Sequence, residues 1–201
     1  MKNFVFVVLA FVLTCGFFSG NALAASAEEK RFSLPAPTKT GGMPLMEALG
    51  ARSASRQFSD KPVDMQTLSD LLWATWGINR PDGRRTAPTG MNRQDIRVYV
   101  AIDSGVWLYD AEKNELALAL PQDARSKFGG SPVTLLYAAP ADSPFSGMHA
   151  GSLYQNAGLF CASAKLANVV KRTGADALKG VLPLPKGYEV LIVQSIGWPA
   201  K

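Results

Sequence analysis

The sequence predicts an α+β fold, on three observations. A capped helix pattern ends on Gly77, three short strand patterns follow within residues 96–120, and a long small-residue helix precedes a last strand at 188–196. Helices and strands that alternate around an antiparallel hairpin belong to that class. The 201 residues are 47% hydrophobic and 18% charged, which is globular composition for one domain. A chain of this length buries most of its apolar surface without disulfide or metal staples.

Residues 1–24 read as a removed export signal. Met1-Lys2-Asn3 is a small positive start, Phe4 to Phe18 is almost wholly apolar, and Ala22-Leu23-Ala24 is the small-x-small pattern of signal cleavage. The apolar run is too short, and too closely followed by that pattern, for a spanning helix. The mature chain is expected to start near Ala25, periplasmic or secreted, with no stable membrane anchor. Val12-Leu13-Thr14 before Cys15 is a poor lipobox, and no Arg-Arg pair precedes the run, so export as an unfolded chain is expected. Cys15 leaves with the signal. Cys161 then stands alone in the apolar run Gly158-Leu159-Phe160-Cys161-Ala162, so no internal disulfide forms and a buried, inert thiol is expected.

The formal net charge is +5, and loss of Lys2 lowers it by one. That mild basicity suits an anionic cofactor or substrate. It lacks the clustered lysine and arginine footprint of a nucleic-acid binder.

The elements follow in order. Residues 25–43 hold Pro35, Pro37 and the Gly41-Gly42 pair without periodicity and read as an extended leader before a domain at 44–201. Pro44 suits a first helical position, with Leu45, Met46 and Leu49 on one face of a short helix ending near Gly50 or Ala51. Asp64 can cap the next helix, whose Met65, Leu68, Leu71, Leu72, Thr75 and Trp76 keep three-and-four spacing. The pair Trp73 and Trp76 reads as core. Residues 79–92 form a long polar loop anchored at both ends, a feature that favours function. Strands are expected at Ile96–Ile102, Val106–Asp110 and Leu116–Leu120, as an antiparallel meander. A short helix is expected within Pro121–Phe128, a buried strand at Pro132–Ala139, a helix over His149–Asn168, a polar turn at Lys171–Lys179 and a strand at Tyr188–Ile196. The small residues of the 149–168 helix suit a close helix pair or a dimer seam.

Chemistry concentrates in two polar stretches. Arg52-Ser53-Ala54-Ser55-Arg56-Gln57-Phe58 carries two guanidiniums and two hydroxyls, which match phosphate or carboxylate geometry, although an ordinary solvated loop has the same composition. No G-x-G-x-x-G, Walker A or CxxC pattern is present. His149 is the only histidine, so it cannot build a multi-histidine metal site, and a hydrogen bond near a helix start is expected of it. A chain with so few acid/base groups suits cofactor chemistry.

Arg52 to Phe58, the capped helix ending in Gly77, Ala87-Pro88-Thr89-Gly90-Met91-Asn92-Arg93-Gln94 opening a strand, and the closing Gly197-Trp198-Pro199 together resemble the FMN-dependent nitroreductase family. The likeness runs from about Pro44 to Lys201, and the Val106–Leu120 hairpin resembles the branch that includes azoline-forming peptide oxidases. The resemblance implies a central, mostly antiparallel sheet flanked by helices, and a homodimer with FMN at the subunit interface. It also implies ping-pong electron transfer to a small organic acceptor. By position, Arg52, Ser53, Ser55 and Arg56 would hold the FMN phosphate, the ribityl chain or the polar edge of the ring. Pro88, Thr89, Gly90 and Asn92 would approach the flavin from the partner subunit, and the turn Arg172-Thr173-Gly174 would offer backbone N–H groups near N5 and O4. No catalytic side chain and no metal site is implied.

Three departures stand against the family pattern. Ala54 replaces a common serine, the turn near Thr173 lacks an acidic residue, and the chain ends at Lys201 where longer members continue to a basic segment. Lys201, or Arg84 and Arg85, are the available substitutes. The family's donor, NAD(P)H, is not expected outside the cytoplasm, which leaves a quinol or a redox protein. A non-catalytic flavin- or ligand-binding protein and a flavin-modifying enzyme are the rival readings.

Overall fold

The computed structural model describes residues 30–200. The export signal at 1–24, the first residues of the leader and Lys201 lie outside the described residues.

Seven antiparallel strands form one sheet: β1 (Arg31–Ser33), β2 (Arg97–Ile102), β3 (Gly105–Asp110), β4 (Glu115–Leu120), β5 (Val133–Pro140), β6 (Ala167–Lys171) and β7 (Tyr188–Gly197). Their order is β1-β4-β3-β2-β5-β7-β6. Three helices join them: α1 (Leu45–Ala51), α2 (Met65–Trp76) and α3 (Ser146–Ser163). This is the α+β class expected of the sequence.

Strand pleating sends alternate residues to opposite faces. On β2, Val98, Val100 and Ile102 join the core with Leu68, Leu71 and Leu72 of α2 and Leu153 and Ala157 of α3. Tyr99 and Ala101 point the other way, onto Phe128, Leu178 and Leu182. β5 divides likewise, with Leu135 and Tyr137 on the first face and Leu136 and Ala138 on the second. Both faces of the central strands are therefore covered, which explains their near-continuous apolar runs.

The Asp64 cap forms as expected: its carboxylate accepts from the Thr67 N–H at 2.9 Å and the Thr67 hydroxyl at 2.8 Å. Gly77 ends the helix, its N–H donating to the Trp73 carbonyl. Trp76 is buried in the core, while Trp73 lies at its edge and donates Nε1–H to the Ile78 carbonyl at 3.1 Å. Cys161 is fully buried, and burial pushes its thiol well up.

Three local expectations need correction. Helix α3 stops at Ser163, not Asn168: Lys165 turns into the left-handed region at φ 58°, and the β-branched pair Val169-Val170 then builds β6 on the edge of the sheet. Only a 3₁₀ turn, Arg125–Phe128, forms within 121–128. Pro44 caps α1 rather than opening it, and Leu45, Met46 and Leu49 face solvent while Ala48 is buried. The described part of the leader is extended but stitched to the fold. Arg31–Ser33 pairs with β4, Ser69 Oγ donates to the Pro35 carbonyl at 2.5 Å, and Asn114 Nδ2 donates to the same carbonyl at 2.8 Å.

Hydrogen bonds from Thr67 hold the Asp64 carboxyl below the usual carboxylate range. A lowered folded value means that the cap stabilises above the unfolded pKa and loses that contribution as pH falls through the folded one. Asp64→Ala is expected to lower the unfolding free energy by about 1 kcal/mol at neutral pH in a urea titration. The difference should shrink in acid, and an equal loss at both pH values would contradict the cap.

Candidate functional site

The stretch Arg52–Phe58 leaves α1 and runs along the C-terminal half of α3. Arg52 N–H closes α1 on the Ala48 carbonyl at 2.9 Å. The Arg52 stem lies on Gly158, its Cδ 3.6 Å from where a Cβ would stand. The Ser55 N–H donates to the Asn168 carbonyl of β6 at 2.8 Å. Asn168 belongs to a buried polar chain: the Tyr137 hydroxyl donates to Gln194 Oε1 at 2.6 Å, and Gln194 Nε2 donates to Asn168 Oδ1 at 3.0 Å. Three strands thus fix the backbone that carries the two arginines.

The far end of the stretch meets the chain's last residues. Phe58 bridges Pro199, and the Ser59 N–H donates to the Trp198 carbonyl at 2.9 Å. Gly197 permits this approach, because a Cβ there would stand 2.7 Å from Pro132 Cδ and 3.4 Å from Phe58 Cδ1.

Lys171, at the end of β6, completes the corner. Its Nζ donates to the Phe128 carbonyl. Burial lowers its pKa, and the nearby charge of Arg56 lowers it further. Among the described residues no carboxylate lies within 4 Å of Arg52, Arg56 or Lys171. Ser53 is exposed and Ser55 half-buried.

The turn Arg172-Thr173-Gly174 follows directly. The Arg172 guanidinium donates to the Val190 and Leu191 carbonyls at 3.1 and 2.6 Å, so it buttresses β7. Gly174 has φ +88°, and a Cβ would stand 3.2 Å from the Lys127 carbonyl oxygen, so only glycine fits without strain.

Pro88, Thr89, Gly90 and Asn92 lie elsewhere, at the N-terminal half of α3. The Gly90 N–H donates to His149 Nε2 at 2.7 Å, and His149 Nδ1 lies 2.7 Å from Asp95 Oδ1. A backbone donor at Nε2 requires an unprotonated nitrogen there, so the proton sits on Nδ1 and is donated to Asp95. His149 is 2% exposed, and its ring stacks on Phe145, over which the Arg93 guanidinium lies at 5.0 Å. The expected helix-start hydrogen bond exists, and its partner is the candidate site itself. From His149 to Gly158 the helix rises about 14 Å. The two stretches therefore meet opposite ends of α3 within one chain. Arg84 and Arg85 go with the 79–94 loop, and the cation beside Arg56 is Lys171.

The sequence model of the Nitroreductase family matches residues 49–198. The chain belongs to that family. A nitroreductase-type structure from Ralstonia eutropha JMP134 is 36% identical, covering 89% of this chain and 93% of its own, with a TM-score of 0.80. The microcin synthetase complex McbBCD of E. coli, with truncated pro-MccB17 bound, is similar at 19% identity, 96% and 85% coverage and a TM-score of 0.63. A nitroreductase with bound FMN from Bacteroides fragilis NCTC 9343 is similar at 13% identity, 78% and 88% coverage and a TM-score of 0.57. At those identities the last two share the fold. No curated protein matches the chain.

Sequence reasoning missed Lys171, Asn168, Gln194 and Tyr137, which adjoin or support the candidate stretch. The one available signal was the β-branched pair after Asn168, which marks a strand rather than a helix end.

His149→Leu would strand a half-buried N–H and a largely buried carboxylate. It is expected to cost about 2 kcal/mol or more in unfolding free energy and to speed hydrogen exchange at the Gly90 amide. Unchanged exchange at Gly90 would show that His149 does not hold this loop.

Proposed function

We propose that this nitroreductase-family protein is an exported FMN-dependent oxidoreductase that works as a homodimer by ping-pong electron transfer to a small organic acceptor. The observation that carries the reading is the corner built by Arg52, Arg56 and Lys171. Arg56 and Lys171 are near enough to repel, Arg52 leaves α1 on the same stretch, none of the three has a carboxylate within 4 Å among the described residues, and Ser53 and Ser55 share that stretch. A dianionic phosphate satisfies such a donor set, and the residues present fit FMN. Bound FMN supplies two-electron redox chemistry that no side chain here can provide.

Within this reading, Arg52, Ser53, Ser55 and Arg56 hold the phosphate and ribityl chain, with Lys171 added to them. The backbone N–H groups of the Arg172-Thr173-Gly174 turn stabilise negative charge that develops on the ring during reduction. Pro88, Thr89, Gly90 and Asn92 come from the second copy. Support for that copy comes from the separation of the half-sites along α3 and from apolar side chains left on the surface. Leu45 is 64% exposed, Met46 77% and Met148 62%. Leu45 and Met46 are neighbours on α1, and exposed apolar surface there suits association with a second copy. Export rests on the pattern at residues 1–24, and with it goes an electron donor other than NAD(P)H, such as a quinol or a redox protein.

Titration of purified protein with FMN tests the reading. A yellow complex that dithionite bleaches and air restores is expected. Arg52→Ala with Arg56→Ala should weaken FMN binding by about 3 kcal/mol, and Lys171→Met should weaken it less. Failure of FMN to bind the unaltered chain would overturn the proposal, while rapid, saturable oxidation of NADH would remove the argument for another donor.

A further inference from the structure

A second group of arginines lies in the 79–94 loop, with the half-site formed by Pro88 to Asn92. An open groove of about 480 Å³ is lined by Arg80, Arg84, Arg85, Pro88, Thr89 and Met91, among others. Arg85 is half-buried. It lies on the Trp76 ring at 4.7 Å and donates to Gln94 Oε1 at 2.7 Å and to the Trp76 carbonyl at 3.0 Å. Those bonds cap the C-terminus of α2 and account for the residue's place. They do not neutralise it, since no carboxylate lies within 4 Å among the described residues. Burial accordingly lowers its pKa, and the more distant charge of Glu112 only partly offsets this.

Arg80 is also without a carboxylate. Its guanidinium donates to Asn79 Oδ1 at 3.1 Å and to the Arg85 carbonyl at 3.2 Å. Arg84 alone is paired, with Asp82 at 3.1 Å, in a bridge whose two side chains are 55% and 51% exposed. Exposed bridges of that kind are weak and exchange readily. A guanidinium carries five N–H donors, so Arg80 and Arg85 each keep donors beyond the two used within the protein.

The groove is also held rigid. Met91, Asn92 and Gln94 all have left-handed φ, at 53°, 53° and 48°, a conformation that costs non-glycine residues roughly 1 kcal/mol each. Their backbone is fixed by Asn92 N–H on the Thr89 carbonyl, Gln94 N–H on Thr89 Oγ1, and the His149 bond to Gly90. The result holds Met91 74% exposed beside the arginines. Strain maintained this way, with an apolar side chain displayed next to unneutralised cations, is what a preformed ligand site requires.

We propose that this groove binds the carboxylate of an anionic organic acceptor, with the spare donors of Arg80 and Arg85 as its ligands, Arg84 exchanging from Asp82 to join them, and Pro88 and Met91 against its apolar body. That the ligand accepts electrons rests on the flavin reading above; the carboxylate site does not. In protein whose FMN has first been reduced by one equivalent of dithionite, the flavin should pass two electrons, with two protons, to 4-nitrobenzoate (giving the nitroso compound and water) with a second-order rate constant at least about tenfold above that for neutral 4-nitrobenzyl alcohol. Arg80→Gln with Arg84→Gln should abolish that preference while leaving the FMN spectrum unchanged. Equal rate constants for the two compounds in the reduced, flavin-loaded protein would overturn the site and leave the flavin reading standing. If FMN does not bind, the site is tested by titrating the flavin-free protein with 4-nitrobenzoate and following tryptophan fluorescence. Saturable binding lost in the double variant supports the site, and binding that is absent or indifferent to the substitutions overturns it.

Discussion

The way α3 lies on the sheet is the constraint from which both half-sites follow. Its buried face, Ala150, Leu153, Ala157 and Cys161, is small enough to bring the helix close to β5 and α2. At one end His149 then reaches the Gly90 N–H, and at the other Gly158 leaves room for the Arg52 stem. A bulkier core face would lift the helix and detach both contacts together. The same helix therefore sets the position of the phosphate-type corner and of the loop that would cover a partner's flavin.

Electrostatics divides the molecule along that helix. The corner near its C-terminus has Arg52, Arg56 and Lys171, and the loop near its N-terminus has Arg80, Arg84 and Arg85. Only Arg84 among the six forms an ion pair with a carboxylate within the described residues. Uncompensated cations at the surface of one fold point to anionic ligands at both places. On the proposed reading a phosphate would be held at the first, where Ser53 and Ser55 share the stretch with the arginines. A carboxylate with an apolar body fits the second, where Pro88 and Met91 are the neighbours.

Much of the fold was legible because its signals are local. The α2 cap, its apolar stripe and the meander of β2, β3 and β4 each sit inside one short window of sequence. The candidate residues Arg52, Ser53, Ser55 and Arg56 stood out because charge and hydroxyls crowd into seven positions. What escaped depended on distant partners. β6 continues a run of small residues and is a strand only because β7 supplies its hydrogen bonds. β1 is three exposed residues with no alternation to detect. His149 meets Gly90 and Asp95 across more than fifty positions, and no spacing rule links them. The apolar residues of α1 pointed to a buried face, yet only Ala48 turns inward.

On the proposed reading two copies of this chain would complete one another's cradle, and subunit complementation tests this. One chain would carry Arg52→Ala with Arg56→Ala, the other Gly90→Val, whose side chain would meet His149 Nε2. Each alone should bind FMN poorly. Mixed under conditions that allow subunits to exchange, they should recover FMN binding, because a mixed pair contains one site free of every substitution. If mixing restores no binding while the two chains demonstrably associate, the cradle is not shared between subunits and the account is wrong.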